Sequence, residues 1–169
     1  MIVILSPRLQ LRQFQMVDAQ EVFGCITPGI AKFMPWEPPS WSEYLTRCEK
    51  RVQAPEPNKF SFAIRRLDGG ECLGMASLED ADSVSPELGL WLKESAHGRG
   101  FGREVVAALV EWGHASLGKR TFTYPVAIQN IASRRIAESL HGEIIGNRTN
   151  PKYDSVVYRI PFYATPDSP

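Results

Sequence analysis

The stretch "ELGLWLKESAHGRGFGREVV", residues 87–106, decides how this chain is read. It opens on alternating apolar residues (Leu88, Leu90, Leu92), ends on the start of an apolar run, and holds Gly98, Gly100 and Gly102 between them. Alternation predicts a strand, the helically spaced run predicts a helix, and glycines this dense mark backbone that approaches something closely. Where a strand ends and a helix begins, several backbone N–H groups lack partners. Glycine removes the Cβ atoms that would keep an anion from those groups, and the helix dipole favours negative charge there. Arg99 and Arg103 add charged donors.

Three phosphate-cradling patterns compete for this segment. The dinucleotide fingerprint G-x-G-x-x-G fails, because the residue three after Gly100 is Arg103. A P-loop needs G-K-[ST], which is absent; phosphoryl transfer would lack its lysine and metal ligands. The third pattern is a strand, then [Q/R]-x-x-G-x-[G/A], then a helix. "HGRGFG", residues 97–102, fits it at Gly100 and Gly102, with His97 in the Gln/Arg position. The competing reading is a glycine-rich turn with solvated arginines.

Outward from this segment, the chain reads as strands and helices of a mixed α/β fold. "RLQLRQF" alternates as a first strand, and "MVDAQEVFGCI" follows as a helix with Asp18 as its N-cap. "GIAKFMPWEPPSW" is a loop, since its prolines suit neither helix nor ladder. A helix starting at Ser40 or Ser42 leads to "KFSFAIRRL" and "ECLGMASLE", a hairpin turned by "DGG". After the quoted strand and loop comes a helix whose Val105, Val106, Leu109 and Val110 form an apolar stripe closed by Gly118. "RTFTYPVA", "NIASRRIAESLHG" with Asn130 as cap, and "SVVYRIPF" complete a strand–helix–strand end, and the tail 164–169 is expected to be frayed.

Composition sets bounds on function. The 169 residues, 43% hydrophobic and 22% charged, suit one globular domain spanning 1–169. Nineteen basic and nineteen acidic residues give no net charge, so bulk electrostatics do not point to nucleic acid. Cys25, Cys48 and Cys72 lie far apart in no metal-binding spacing, which predicts reduced thiols, no metal and a cytoplasmic protein. "MIVILS" lacks the basic segment of a signal peptide, and "VVAALV" is far short of a membrane span.

The stretches "RLQLRQF", "FMPW", "FAIRR", "LGMASLE", "ELGLWLKESAHGRGFGREVVAALVEWG" and "VAIQNIASRRIAESLHGEIIG", in that order, carry a resemblance. The chain resembles the GNAT superfamily of acetyl-CoA-dependent N-acetyltransferases, in its RimJ/RimL-like branch. The resemblance implies the GNAT fold: a twisted, mostly antiparallel sheet of six to seven strands flanked by about four helices. It implies acetyl-CoA as cosubstrate and a primary amine as acceptor, on a protein N-terminus or a small amine. It also implies a strand splayed from its neighbour, where backbone groups of Leu90, Trp91 and Leu92 bond the pantetheine arm. The phosphate-binding positions are His97, Gly98, Arg99, Gly100, Phe101, Gly102 and Arg103. Asn130 and Ser133 match the N-x-x-S that contacts the coenzyme near its sulfur. An oligomeric state beyond monomer or homodimer does not follow.

The acceptor chemistry requires a neutral amine. An α-amine with pKa near ~8 is about a tenth neutral at pH 7, whereas a lysine near ~10.4 costs roughly 4–5 kcal/mol to deprotonate. A weakly basic amine therefore needs little more than one carboxylate acting through water. Glu87 is the candidate, with a solvated strand-end carboxylate as the competing reading; Glu79 and Asp80 are the reserves. The family's tyrosine acid matches Ala137 here, so Ser133 or a water it holds is the candidate donor to the thiolate. "FMPWEPPSW" is expected to line the acceptor site through Phe33, Trp36 and Trp41, while His114 and His141 read as structural. No cysteine matches a family site, which favours direct attack by the amine. A non-catalytic acyl-CoA sensor is the alternative from another functional class.

Overall fold

The computed structural model describes residues 1–163; the tail 164–169, expected to be frayed, lies outside the described residues. One sheet holds the strands β1 (Val3–Leu5), β2 (Leu9–Gln13), β3 (Phe60–Arg66), β4 (Cys72–Glu79), β5 (Glu87–Leu92), β6 (Thr121–Ala127), β7 (Glu143–Thr149) and β8 (Asp154–Pro161). Their spatial order is β1-β2-β3-β4-β5-β6-β8-β7, antiparallel throughout except for the parallel pair β5–β6. The mixed α/β class holds, but among the described residues the sheet has eight strands where six to seven were expected. The two unforeseen strands gave little periodic signal: β1 is three residues long, and every residue of β7 is exposed.

Among the described residues, five helices accompany the sheet: α1 (Ala19–Gly24), α2 (Pro28–Ala31), α3 (Trp41–Gln53), α4 (Phe101–Leu117) and α5 (Ile131–Ser139). The single turn α2 lies inside the stretch read as loop. Pro28 fits its first turn, where a missing N–H costs nothing, and Thr27 Oγ1 accepts the Ile30 N–H at 3.3 Å. Ser40, not Ser42, starts α3 through a capping box in which Glu43 Oε2 accepts the Ser40 N–H at 2.7 Å. Asp18 precedes α1 without capping it. Its fully buried carboxylate instead accepts from Arg12, from Arg65 at 2.8 Å and from the Gln15 N–H at 3.0 Å.

Each face of the sheet has its own core. On one, α4 and α5 bring Val105, Val106, Leu109 and Ala137 against Phe62, Leu78, Leu88 and Phe122. On the other, α1 and α3 bring Val22, Tyr44 and Cys48 against Ala63, Cys72 and Met75. Strand alternation sorts β5 accordingly: Leu88 and Leu92 join the α4 core, and Trp91 packs at the edge of the α3 core. Among the described residues no helix is long and apolar enough to cross a membrane.

Candidate active site

The strands β5 and β6 are neighbours, yet they register only at Glu87–Thr123, with the Thr123 N–H on Pro86 O at 2.9 Å. Beyond that bridge they part. On the other edge of β5, the ladder with β4 runs unbroken from Glu79–Glu87 to Gly74–Leu92, and Lys93 N–H continues it onto Leu73 O at 2.7 Å. Hydrogen-bonded pairs alternate in an antiparallel ladder, so Trp91 and Gly89 bond β4 while the backbone of Leu90 and Leu92 faces the gap. The gap thus offers the N–H and C=O of Leu90 and the N–H of Leu92. The Leu92 carbonyl is taken by His97 Nε2 at 2.7 Å. The Trp91 backbone is bonded to β4 and does not face the gap; its ring lines the cleft and meets that of Trp36 edge-on at 6.2 Å.

The glycine loop closes one end of this gap. Gly98 and Gly100 have φ of +70° and +77°, a left-handed backbone that glycine adopts without strain, and an added Cβ at Gly98 would meet nothing. From Gly100 the chain enters α4, whose first N–H groups have no partner within the helix. Gly102 is in close contact with α5: an added Cβ there would lie 2.6 Å from Ile136 Cδ1, so that side chain would have to shift. Phe101 turns into the core with the guanidinium of Arg99 5.1 Å from its ring centre, and Arg103 is exposed. His97 ties the loop to the end of β5 through its bond to Leu92 O.

Arg8, which sequence reasoning did not assign to the site, holds this loop from the opposite side. It donates to Arg99 O at 3.1 Å, stacks on the Phe101 ring at 4.5 Å, and bonds Glu104 through its backbone N–H and Nε. Glu104 also accepts from Ser6 Oγ at 2.7 Å. Burial would raise its carboxyl pKa, but the bonds from Ser6 and Arg8 outweigh burial and hold it below its ordinary value.

From the gap a cleft of about 570 Å³ runs across the sheet to the aromatic loop. Phe33 and Trp36 line it, whereas Trp41 does not; Trp41 packs against Phe23 at 5.1 Å and near Tyr44. Glu79 and Glu87 both line the cleft and are cross-strand partners. Each has its own cation: Lys59 Nζ lies 2.9 Å from Glu79, and Arg148 Nη1 donates to Glu87 Oε2 at 2.8 Å. Asp80 sits beyond β4 in a left-handed turn at φ 52°.

Asn130 and Ser133 line the same cleft at the start of α5. Asn130 Oδ1 caps the helix by accepting the Ser133 N–H at 3.2 Å. Ser133 Oγ lies 2.8 Å from the hydroxyl of Tyr124 on β6, a cleft residue that sequence reasoning missed. Burial pushes the Tyr124 phenol up to about 12, with the Ser133 bond opposing that rise. Ala137 is fully buried, so the expected tyrosine position carries no donor. His114 bonds Lys119 O at 2.9 Å and stacks on Phe162, and His141 packs edge-on to Tyr163, both outside the cleft.

The shape and chemistry suit an extended anionic thioester donor: free backbone groups along a gap, with an N–H-rich, glycine-lined loop at its end. Comparison with known proteins agrees. The family model for the acetyltransferase (GNAT) domain matches residues 8–143. No curated protein sequence is significantly similar. Among solved structures, a GNAT-family acetyltransferase from Bacillus anthracis superposes with TM-score 0.83 at 17% identity, covering 95% of this chain and 98% of its own. RimL, a ribosomal L7/L12 alpha-N-protein acetyltransferase solved with coenzyme A, gives TM-score 0.79 at 19% identity, covering 94% and 97%. Spermidine N-acetyltransferase from Vibrio cholerae, solved with coenzyme A and spermine, gives 0.76 at 18%, covering 89% and 93%. At these identities the neighbours establish the fold, while the family match spans most of the sequence: the chain belongs to the GNAT family of acetyltransferases, enzymes that draw on acetyl-CoA.

Proposed function

We propose that this protein transfers acetyl to a primary amine, on a protein N-terminus or a small amine, by direct attack without a covalent enzyme intermediate. The observation that carries the reading is the parting of β5 from β6 beyond a single bridge, which leaves the Leu90 backbone unpaired beside the glycine loop. When bound there, acetyl-CoA supplies the activated acetyl group as a thioester. Leu90 and Leu92 offer N–H groups fixed in place before negative charge develops on the acyl oxygen, and this preorganisation lowers the barrier. The N–H groups from Gly100 to Arg103 and the helix dipole of α4 suit the pyrophosphate.

Two proton transfers remain. Glu87 has Oε2 engaged by Arg148, and among the described residues Oε1 accepts no hydrogen bond, so it is available to a water that takes the amine proton. In this reading Ser133 Oγ delivers a proton to the departing thiolate, and its contact with the Tyr124 hydroxyl supports that role. All three cysteines are buried and none lines the cleft, in keeping with direct attack. The neighbours RimL and spermidine N-acetyltransferase span both acceptor classes.

The test is release of free coenzyme A from acetyl-CoA with a panel of N-terminal peptides and small amines. Turnover on a panel member supports the transferase. Tight coenzyme binding with no turnover on any amine would favour the acyl-CoA sensor instead.

A further inference from the structure

The end of the cleft far from the glycine loop is basic. Four cations line the cleft, Arg47, Arg51, Lys59 and Arg148, against the two carboxylates Glu79 and Glu87. Lys59 and Arg148 are matched by those carboxylates. Arg47 and Arg51 are left over: among the described residues neither has a carboxylate within 4.0 Å. They stand one turn apart on α3, so both present to the same side of the helix. The carboxylate one turn earlier, Glu43, is committed to the Ser40 cap. Arg51 is held in place, its guanidinium 5.1 Å from the Phe14 ring centre.

The position of this pair excludes the coenzyme phosphates as its ligand. The glycine loop follows the Leu92 end of β5, while Arg51 lies by Phe14, whose N–H bonds Ser61 near the start of β3. Ser61 pairs with Ser77, and Ser77 with Gly89, which puts β3 two strand spacings from β5. At about 4.8 Å per spacing, the arginines sit roughly 10–15 Å from the strand that presents the acetyl group. An extended peptide covers that distance in about three or four residues at ~3.3 Å each. The carboxylate of a free α-amino acid, two bonds from its amine, falls far short, and a polyamine carries the wrong charge.

Resting on the acetyltransferase reading above, we propose that Arg47 and Arg51 form an anion subsite that selects peptide acceptors bearing an acidic side chain two to four residues after the reactive N-terminal amine. The pair supplies charge-assisted donors to that carboxylate, and the apolar wall of Phe33 and Trp36 receives the intervening chain.

The experiment uses the full chain with hexapeptides that differ only at residues three to five (all Glu, all Gln or all Lys), with spermidine and free glutamate as further acceptors. The expected order of kcat/KM is Glu above Gln above Lys, with about a tenfold step from Gln to Glu carried by KM and shrinking as salt rises. In Arg47→Gln/Arg51→Gln the Glu-to-Gln ratio falls to about one, and in Arg47→Glu/Arg51→Glu the Lys peptide becomes the preferred one. Equal kcat/KM for all three peptides, preference for spermidine or free glutamate, or a variant that keeps the Glu preference overturns the subsite. Calorimetric binding of the same peptides to the coenzyme-A-loaded protein separates the two readings. Acid-selective binding without turnover sinks the transferase and keeps the subsite, whereas turnover without acid selectivity does the reverse.

Discussion

The hydroxyl of Tyr124 on β6 lies 2.8 Å from Ser133 Oγ at the start of α5. The pair joins two elements across the edge of the cleft, where the family's tyrosine position is the buried Ala137. Because burial pushes the phenol up to about 12, Tyr124 remains protonated, and a donor, across the working range. Tyr124→Phe and Ser133→Ala should each lower kcat by roughly 10²-fold, the low end for a positioned proton donor, with smaller changes in KM. The pH profile of kcat should show no limb below pH 10 that Tyr124→Phe removes. Steady-state kinetics from pH 6 to 10 decide this; a rise in KM for acetyl-CoA with kcat intact would make the pair a binding contact only.

Glu87 and Arg148 form the second test. Replacing Glu87 by Gln keeps the shape and a partner for the arginine but removes the carboxylate proposed to accept the amine's proton. At pH 7 kcat/KM should fall by about 10²-fold, and the loss should shrink as pH rises toward the amine's own pKa near ~8. The variant therefore needs a higher pH for the same rate. Superimposable pH profiles for the variant and the parent protein would dismiss Glu87 as the base.

Local signals carried much of this architecture into the sequence, and long-range contacts carried the remainder. Alternation marked β5, and the glycines after it marked the loop, because each is written within a few residues. The exposed β7 and the three-residue β1 have no buried face long enough to impose a period. At the site, Gly102 was legible as a glycine but its contact with Ile136 was not, since the two meet only after α5 packs on α4. Arg8 reaches Glu104 across 96 residues and Arg148 reaches Glu87 across 61, separations at which residue type alone assigns no partner. Trp41 shows the converse: an aromatic in a proline-rich stretch looked like cleft wall, and Phe23 and Tyr44 hold it elsewhere.

Glu104 couples the glycine loop to the β1–β2 turn, and its pH dependence has a definite sign. Its carboxyl is held below the ordinary 4.5 in the folded protein, so the bonds from Ser6 and Arg8 stabilise the fold above that value. That contribution is lost as pH falls from 4.5 through the folded value. Glu104→Gln should cost about 1–2 kcal/mol near neutrality, or roughly 2–8 °C in Tm for a chain of this size. The difference from the parent protein should vanish in acid. Because Arg8 also bonds Arg99 O, the KM for acetyl-CoA should rise with it. Thermal unfolding at pH 7 and below 4 checks the sign, and a Tm difference that persists unchanged in acid contradicts the linkage.

Lys152, in the turn between β7 and β8, fixes the aromatic loop on the far side of the cleft. Its ammonium donates to Ala31 O at 2.9 Å and Trp36 O at 3.0 Å and lies 2.8 Å from Glu37. Those bonds cap the carbonyls of a segment whose prolines leave few ladder partners, and they set Trp36 against Trp91. Lys152→Met keeps the apolar stem and deletes the donors. Loss of order in the loop worth 1–2 kcal/mol corresponds to about 5–30-fold in acceptor binding. The KM for the amine should rise by that factor while kcat changes little, because the lysine acts through Trp36 and not on the reacting atoms. The binding constant for coenzyme A should stay put, since the glycine loop is anchored separately, by Arg8. A fall in kcat with an unchanged acceptor KM would mean that the loop positions the amine for attack and not merely holds it.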